Sequence, residues 1–166
     1  MDGHELRARQ RPLKEKYGEN PQAALITLRA EGQLADTEVS CAVQTSREIA
    51  EAGLHPATGG DGTLACSGDM LLQALVACAG VTLRAVATSR GLDVTGAVRA
   101  EGDLDFRGTL GAARDVPVGF SAIRLRFDLD TTASTQEVEE LLATTERYCV
   151  VLQTLTNGVA ASIIRD

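Results

Sequence analysis

Tryptophan is absent from the 166 residues, and aromatic side chains together make up only 3% of them. The core must therefore be built from Leu, Val, Ile and Ala. Histidine occurs twice, at His4 and His55, and no CxxC pair exists among the four cysteines, Cys41, Cys66, Cys78 and Cys149. These gaps exclude a structural zinc site and a thioredoxin-like redox motif, so no metal or other cofactor is expected. No Gly-Lys-Ser/Thr follows the glycine-rich stretch 46–67, which excludes a phosphate loop of that type. Positive charge is scarce: 16 Lys and Arg stand against 23 Asp and Glu, a net charge of −7. Nucleic acid and anionic membranes are therefore not expected partners. Met1–Tyr17 is polar throughout, with no secretion signal. Cysteines behind such a start predict free thiols in a reducing compartment, here the cytoplasm.

One long apolar run is present, Ser67–Gly91 (SGDMLLQALVACAGVTLRAVATSRG). From Met70 to Ala87 its only polar residues are Gln73, Thr82 and Arg84, and the apolar ones cover a whole helical circumference. A helix apolar all round is buried, in a core, an interface or a membrane. The run is broken by Gln73, Gly80, Thr82 and Arg84 and has no second such segment beside it, which argues against a membrane span. Its ends are those of a soluble helix: Ser67 as a cap, Asp69 in the first turn, Arg90 in the last, and Gly91 beyond it. At its middle sits Cys78, among Ala74, Ala77, Ala79 and Gly80, whose small side chains let another group approach the sulfur.

The rest of the chain frames this helix. Residues 1–22 form a thin basic arm, solvated or draped over a partner, outside a single domain spanning 23–166. Ala23–Glu31 and Thr37–Thr45 read as strands, the second with Val39, Cys41 and Val43 on one face. Cys41 is thus expected as an inert core thiol. Ser46–Ser67 reads as a loop with a turn at Gly59-Gly60. Leu92–Ala100 and Phe106–Leu110 read as strands, and Ser121–Asp130 alternates cleanly, Ile123, Leu125, Phe127 and Leu129 against charged neighbours. Ser134 and Glu137 form a capping box ahead of an amphipathic helix, Ser134–Tyr148, with Cys149 at its end. Asn157-Gly158 is a turn and Val159–Ile164 a last strand. This order predicts an α+β fold with helices packed on a mostly antiparallel sheet.

A reactive cysteine needs its thiolate stabilised by a cation, a helix terminus or a hydrogen bond. Cys78 lies about two and a half turns into its own helix, beyond the help of that helix's N-terminus. It would need an arginine delivered from elsewhere and held by a carboxylate. Such an arrangement permits peroxide reduction, in which the thiolate becomes a sulfenic acid and a second thiol resolves it as a disulfide. The plain alternative for each cysteine is a buried, inert thiol.

The segment PATGGDGTLACSGDMLLQALVACAGVTL resembles the glycine-rich loop and central helix of OsmC/Ohr-like proteins, with Leu71-Leu72-x-Ala74-Leu75-x-x-Cys78 as the family's helix pattern. EGDLDFRGTLG, VGFSAIRLRFDLDTTAS and ERYCVVLQTL resemble later parts of the same family, so the likeness covers about Ala23 to the end. The resemblance implies an OsmC-like fold in an intertwined homodimer, with central helices buried between chains. It further implies Cys78 as peroxidatic thiol, Cys149 as its resolving partner, organic hydroperoxides as substrates and a lipoyl-type dithiol as reductant. Three departures stand out. The family's Pro-Glu at the helix start is Ser67-Gly68-Asp69, which places the carboxylate of Asp69 nine residues before Cys78. The usual Cys-Pro is Cys149-Val150. The activating arginine is Arg29 or Arg47, with Arg47 preferred because it opens the loop leading back to the helix. Cys66, just before the helix, is the rival resolving thiol. Two other functions stay open: a non-enzymatic dimer binding a small apolar ligand, and a thiol redox sensor.

Overall fold

The computed structural model describes residues 2–25, 27, 31–34, 40–44 and 49–165. The elements in order are α1 (Gly3–Glu19), β1 (Glu31–Leu34), β2 (Ser40–Gln44), β3 (Ile49–Gly53), β4 (Ala65–Cys66), α2 (Ser67–Arg90), β5 (Val94–Leu104), α3 (Phe106–Thr109), β6 (Phe120–Thr131), α4 (Thr135–Tyr148) and α5 (Val150–Asn157). Short 3-10 turns cover Pro21–Ala24 and Pro56–Thr58. The fold is α+β, as the order of elements predicts. It comprises two compact units, one of residues 1–24, 74–99 and 125–166, the other of 25–73 and 100–124.

In the first unit the core is a seam of α2 set against α4 and the strands. Leu75, Ala79, Leu83 and Ala87 recur every four residues and are fully or almost fully buried. Leu83 and Ala87 close on Val94 and Leu141, with Val86, Leu92, Phe127, Leu129 and Leu142 packed around them. Burying a leucine of this kind contributes about 1.5–3 kcal/mol. The opposite side of α2 is not covered within the chain: Val81 is 72% exposed. Gly91, at φ +70°, ends the helix, and the Leu92 N–H returns to the Ala87 carbonyl at 2.9 Å, the closure a left-handed glycine permits. In α4, the Ser134 side chain accepts from the Glu137 N–H while Glu137 reaches back to the Ser134 N–H, so the capping box is present. Residues 1–22 differ from expectation. They hold a capped helix, α1, in which Asp2 accepts from the Glu5 N–H at 2.8 Å, and Arg7 donates to the Ser89 carbonyl at 3.0 Å.

In the second unit β1, β2 and β3 form an antiparallel meander, with Glu31 opposite Gln44 and Ser40 opposite Gly53, and β4 adds in parallel beside β3. The glycine-rich segment 46–67 is therefore not a plain loop, since β3 and β4 lie in it. Ala-, Glu- and Gly-rich strands carry little β signal of their own. Gly59, at φ +94°, makes the expected turn. Between Leu92 and Leu110 the expected two strands are one long strand, β5, followed by the helical turn α3, which Asp105 caps. β5 and β6, each with residues in both units, pair with each other. Thr95 Oγ1 donates to the Asp130 carbonyl and Ser121 Oγ to the Asp103 carbonyl, an order that makes the pair antiparallel. The expected strand at 159–164 has no strand partner among the described residues. That segment carries no regular structure, and Ile163 and Ile164 in it are exposed.

Candidate active site

The chain breaks sharply at Cys149. Its N–H donates to the Thr145 carbonyl and closes α4, while its own carbonyl accepts from the Gln153 N–H and opens α5, both at 2.9 Å. Between these two bonds its backbone is extended, φ −74° and ψ 104°. One residue thus ends one helix and starts the next. Leu141, Thr145 and Cys149 follow one another at every fourth position on the inward side and are completely or almost completely buried. The first N–H groups of any helix lack intrahelical acceptors, and no side-chain cap serves those of α5.

Cys78 is half-buried on α2. Burial alone would push its thiol up. Hydrogen bonding from the Val151 N–H, the Cys149 thiol and the Val150 N–H outweighs this and draws it below the ordinary thiol value. Cys149 goes the other way. Burial raises it, and the neighbouring Cys78 sulfur, as bonding partner and as charge, raises it further against the N–H groups of Leu152 and Val151. The two neighbouring thiols thus titrate as a pair, shifted in opposite directions. The electropositive start of α5 is a recognised way to favour a thiolate. An apolar cleft of about 350 Å³, lined by Leu125, Phe127, Leu142, Leu152 and Cys149 among others, lies beside Cys149.

Of the residues singled out from the sequence, Cys78 and Cys149 are brought together. Asp69 is exposed in the first turn of α2. Arg47 and Arg29 lie outside the described residues. Cys66 is half-buried at the end of β4, in the second unit, and Cys41 is a β2 residue. Among the described residues no group of three His, Cys, Asp or Glu is placed to hold a metal. Val150, Val151 and Thr82 were not singled out. Thr82 was findable, one helical turn from Cys78, where its hydroxyl bonds back to the Cys78 carbonyl at 2.8 Å. The two valines were not, because Val150-Val151-Leu152 carries no helix-start signal.

A model of the OsmC-like protein family matches residues 60–163. Among solved structures, the OsmC-like protein from Mycoplasma pneumoniae superimposes with a TM-score of 0.66 at 16% identity, over 80% of this chain and 89% of that one. A hypothetical protein from Aquifex aeolicus VF5 gives 0.58 at 17% identity, over 81% and 90%. The organic hydroperoxide resistance protein OsmC from Legionella pneumophila gives 0.56 at 18% identity, over 79% and 90%. No curated protein is a significant sequence match.

Proposed function

The chain belongs to the OsmC-like family, and on that premise we propose that it is a thiol peroxidase acting on organic hydroperoxides, with Cys78 as peroxidatic and Cys149 as resolving thiol. The observation that carries this reading is that two free thiols, Cys78 half-buried on α2 and Cys149 buried where α4 meets α5, are neighbours. The hydroperoxide resistance protein of Legionella pneumophila, similar in fold, adds support for a role in peroxide defence.

The chemistry balances in three steps. The Cys78 thiolate attacks the terminal oxygen of ROOH. The O–O bond breaks, its electron pair leaves on the alkoxide, which takes up a proton to give ROH, and Cys78 becomes a sulfenic acid. Cys149 attacks the sulfenic sulfur, its proton leaves with the hydroxide as water, and a disulfide forms. A lipoyl-type dithiol then exchanges with that disulfide, restoring both thiols and leaving as its own cyclic disulfide. The apolar cleft beside Cys149 suits a hydrocarbon R group. Arg47 keeps the part the resemblance implies, a cation brought to the sulfur in addition to the α5 donors.

A second copy of the chain belongs to this reading. Val81 on α2 is 72% exposed, Tyr148 60% and Val150 70%, an apolar surface that one chain leaves open and a homodimer covers. Sedimentation equilibrium tests this part, and a stable folded monomer at micromolar concentration overturns it. Activity is tested by following cumene hydroperoxide consumption under dihydrolipoamide. Cys78→Ser is expected to abolish turnover and Cys41→Ser to leave it intact. Full turnover in Cys78→Ser removes the assignment.

A further inference from the structure

We propose that the cleft beside Cys149 admits uncharged aryl and branched-alkyl hydroperoxides and turns away those that carry a carboxylate, with Glu146 as the discriminating residue. The substrate class rests on the peroxidase reading, whereas the charge preference of the cleft does not. The cleft, of about 350 Å³, is built from β6, α4 and the first turn of α5, all within the first unit. Leu125 and Phe127 are its half-buried contribution from β6, where they alternate with the exposed Arg124, Arg126 and Asp128. Among the described residues that line the cleft, Glu146 is the one charged group. Thr145 is buried there, and its hydroxyl donates to the Leu141 carbonyl at 2.8 Å, so it has no proton left to give an anion.

Glu146 is exposed, and its backbone is fixed across the break at Cys149: its carbonyl accepts from Gln153 Nε2 at 2.9 Å, a bond from α5 back to α4. It also lies in the last turn of α4, the negative end of that helix. Arg147, the next residue, does not offset it. The Arg147 guanidinium stands 5.4 Å from the centre of the Tyr148 ring, and with Tyr148 and Val150 it lines a separate groove. A carboxylate entering the cleft therefore leaves water for apolar walls, meets no cation among the described residues and faces a like charge. An uncharged hydrocarbon group carries none of these costs and gains from burial.

The experiment compares cumene hydroperoxide with its 4-carboxyl derivative, which share the reacting group and the ring and differ by one charge. Consumption of each under dihydrolipoamide is followed on the full chain at neutral pH and low ionic strength. Wild type should favour cumene hydroperoxide. In Glu146→Gln the ratio of the two kcat/KM values should fall about fivefold, the scale of one like charge about 4 Å away in water. Glu146→Lys should lower it further, and Glu146→Asp should keep most of the preference. In 1 M salt, where the Debye length is about 3 Å, wild type and Glu146→Gln should converge, which a steric preference has no reason to do. A ratio that is the same in wild type, Glu146→Gln and Glu146→Lys overturns the proposal. Binding without turnover is read from the Leu142 and Leu152 methyl signals in NMR, on titration with 2-phenyl-2-propanol and with its 4-carboxyl derivative. A charge preference that changes with residue 146, in a protein that consumes no hydroperoxide, keeps the discriminating role of Glu146 and removes the peroxidase reading. Turnover of both hydroperoxides with a ratio indifferent to residue 146 does the reverse. If neither alcohol moves those methyl signals, the cleft is not the binding site and the proposal falls.

Discussion

Replacing Cys149 by serine and by alanine separates its two parts, donor and resolving thiol. Its thiol is one of the groups that bond to the Cys78 sulfur and draw that thiol down. A hydrogen bond to a charged group is worth about 1.5–3 kcal/mol, and an S–H is a weak donor, so its loss is set at about 1 kcal/mol. Cys149→Ala should therefore raise the Cys78 pKa and leave about fivefold less thiolate at neutral pH. Cys149→Ser keeps an O–H in the same place and should leave the midpoint at or below wild type. Neither variant can form the disulfide, so in both the sulfenic acid on Cys78 should persist after one equivalent of cumene hydroperoxide and be trapped by dimedone. The site is completely buried, so the alanine variant should also lose about 1 kcal/mol of stability to the space left by the sulfur. The assay is pH-dependent alkylation of Cys78 read by mass spectrometry. Equal midpoints in the serine and alanine variants would refute the donor role. A Cys66–Cys78 disulfide in the oxidised wild type would move the resolving role to Cys66.

Three further outcomes follow from the frame around the site. Ser134→Ala should destabilise the chain by about 1 kcal/mol in urea unfolding, and the Glu137 carboxyl, held below its usual range by Ser134, should rise in an NMR titration. Gly96→Ala should cost more than 2 kcal/mol: its φ is +125°, and an added Cβ would stand 2.0 Å from the Asp128 carbonyl oxygen, so near-wild-type stability would refute the register of β5 on β6. Asp105 is held down to about 2 by Arg107. Its folded value lies below the unfolded one, so what it contributes is present above about pH 4 and lost as pH falls toward 2; Arg107→Ala should return its titration toward 3.8, followed by carboxyl NMR.

The sequence was most legible where periodicity was long and ends were chemically marked. The alternation of Ile123, Leu125, Phe127 and Leu129, the Ser134 and Glu137 box and the Gly91 stop all have their structural counterparts. The apolar circumference of α2 was readable too, although within one chain only its seam at Leu75, Ala79, Leu83 and Ala87 is buried. Legibility failed where local preference and tertiary setting disagree. Val150-Val151-Leu152 is β-branched and apolar, yet it is the first turn of a helix. Val159–Ile164 has the composition of a strand, but a strand needs an edge to pair with, and among the described residues none pairs with it. Ile49–Gly53 and Ala65–Cys66 are the reverse, weak β formers made into strands by their neighbours.

The same disagreement explains why one neighbour of Cys78 was not legible in the sequence. A cysteine in mid-helix is remote from its own helix N-terminus, which leaves a cation as the obvious source of a stabilised thiolate. The remaining source is the N-terminus of a different helix, and that becomes available only if a helix starts next to the sulfur. Cys149 provides the start: its extended backbone stops α4 and begins α5 with no proline or glycine to announce the break. Cys149-Val150 departs from the Cys-Pro of the resembling family, and from sequence this reads as a loss. Structurally the valine restores an N–H that proline lacks, at the first helical position where such a group has no other acceptor. The resolving candidate and the activating donors are therefore one local feature. Any change that moves the break by even one residue should disturb both the thiolate at Cys78 and the reach of Cys149 at once.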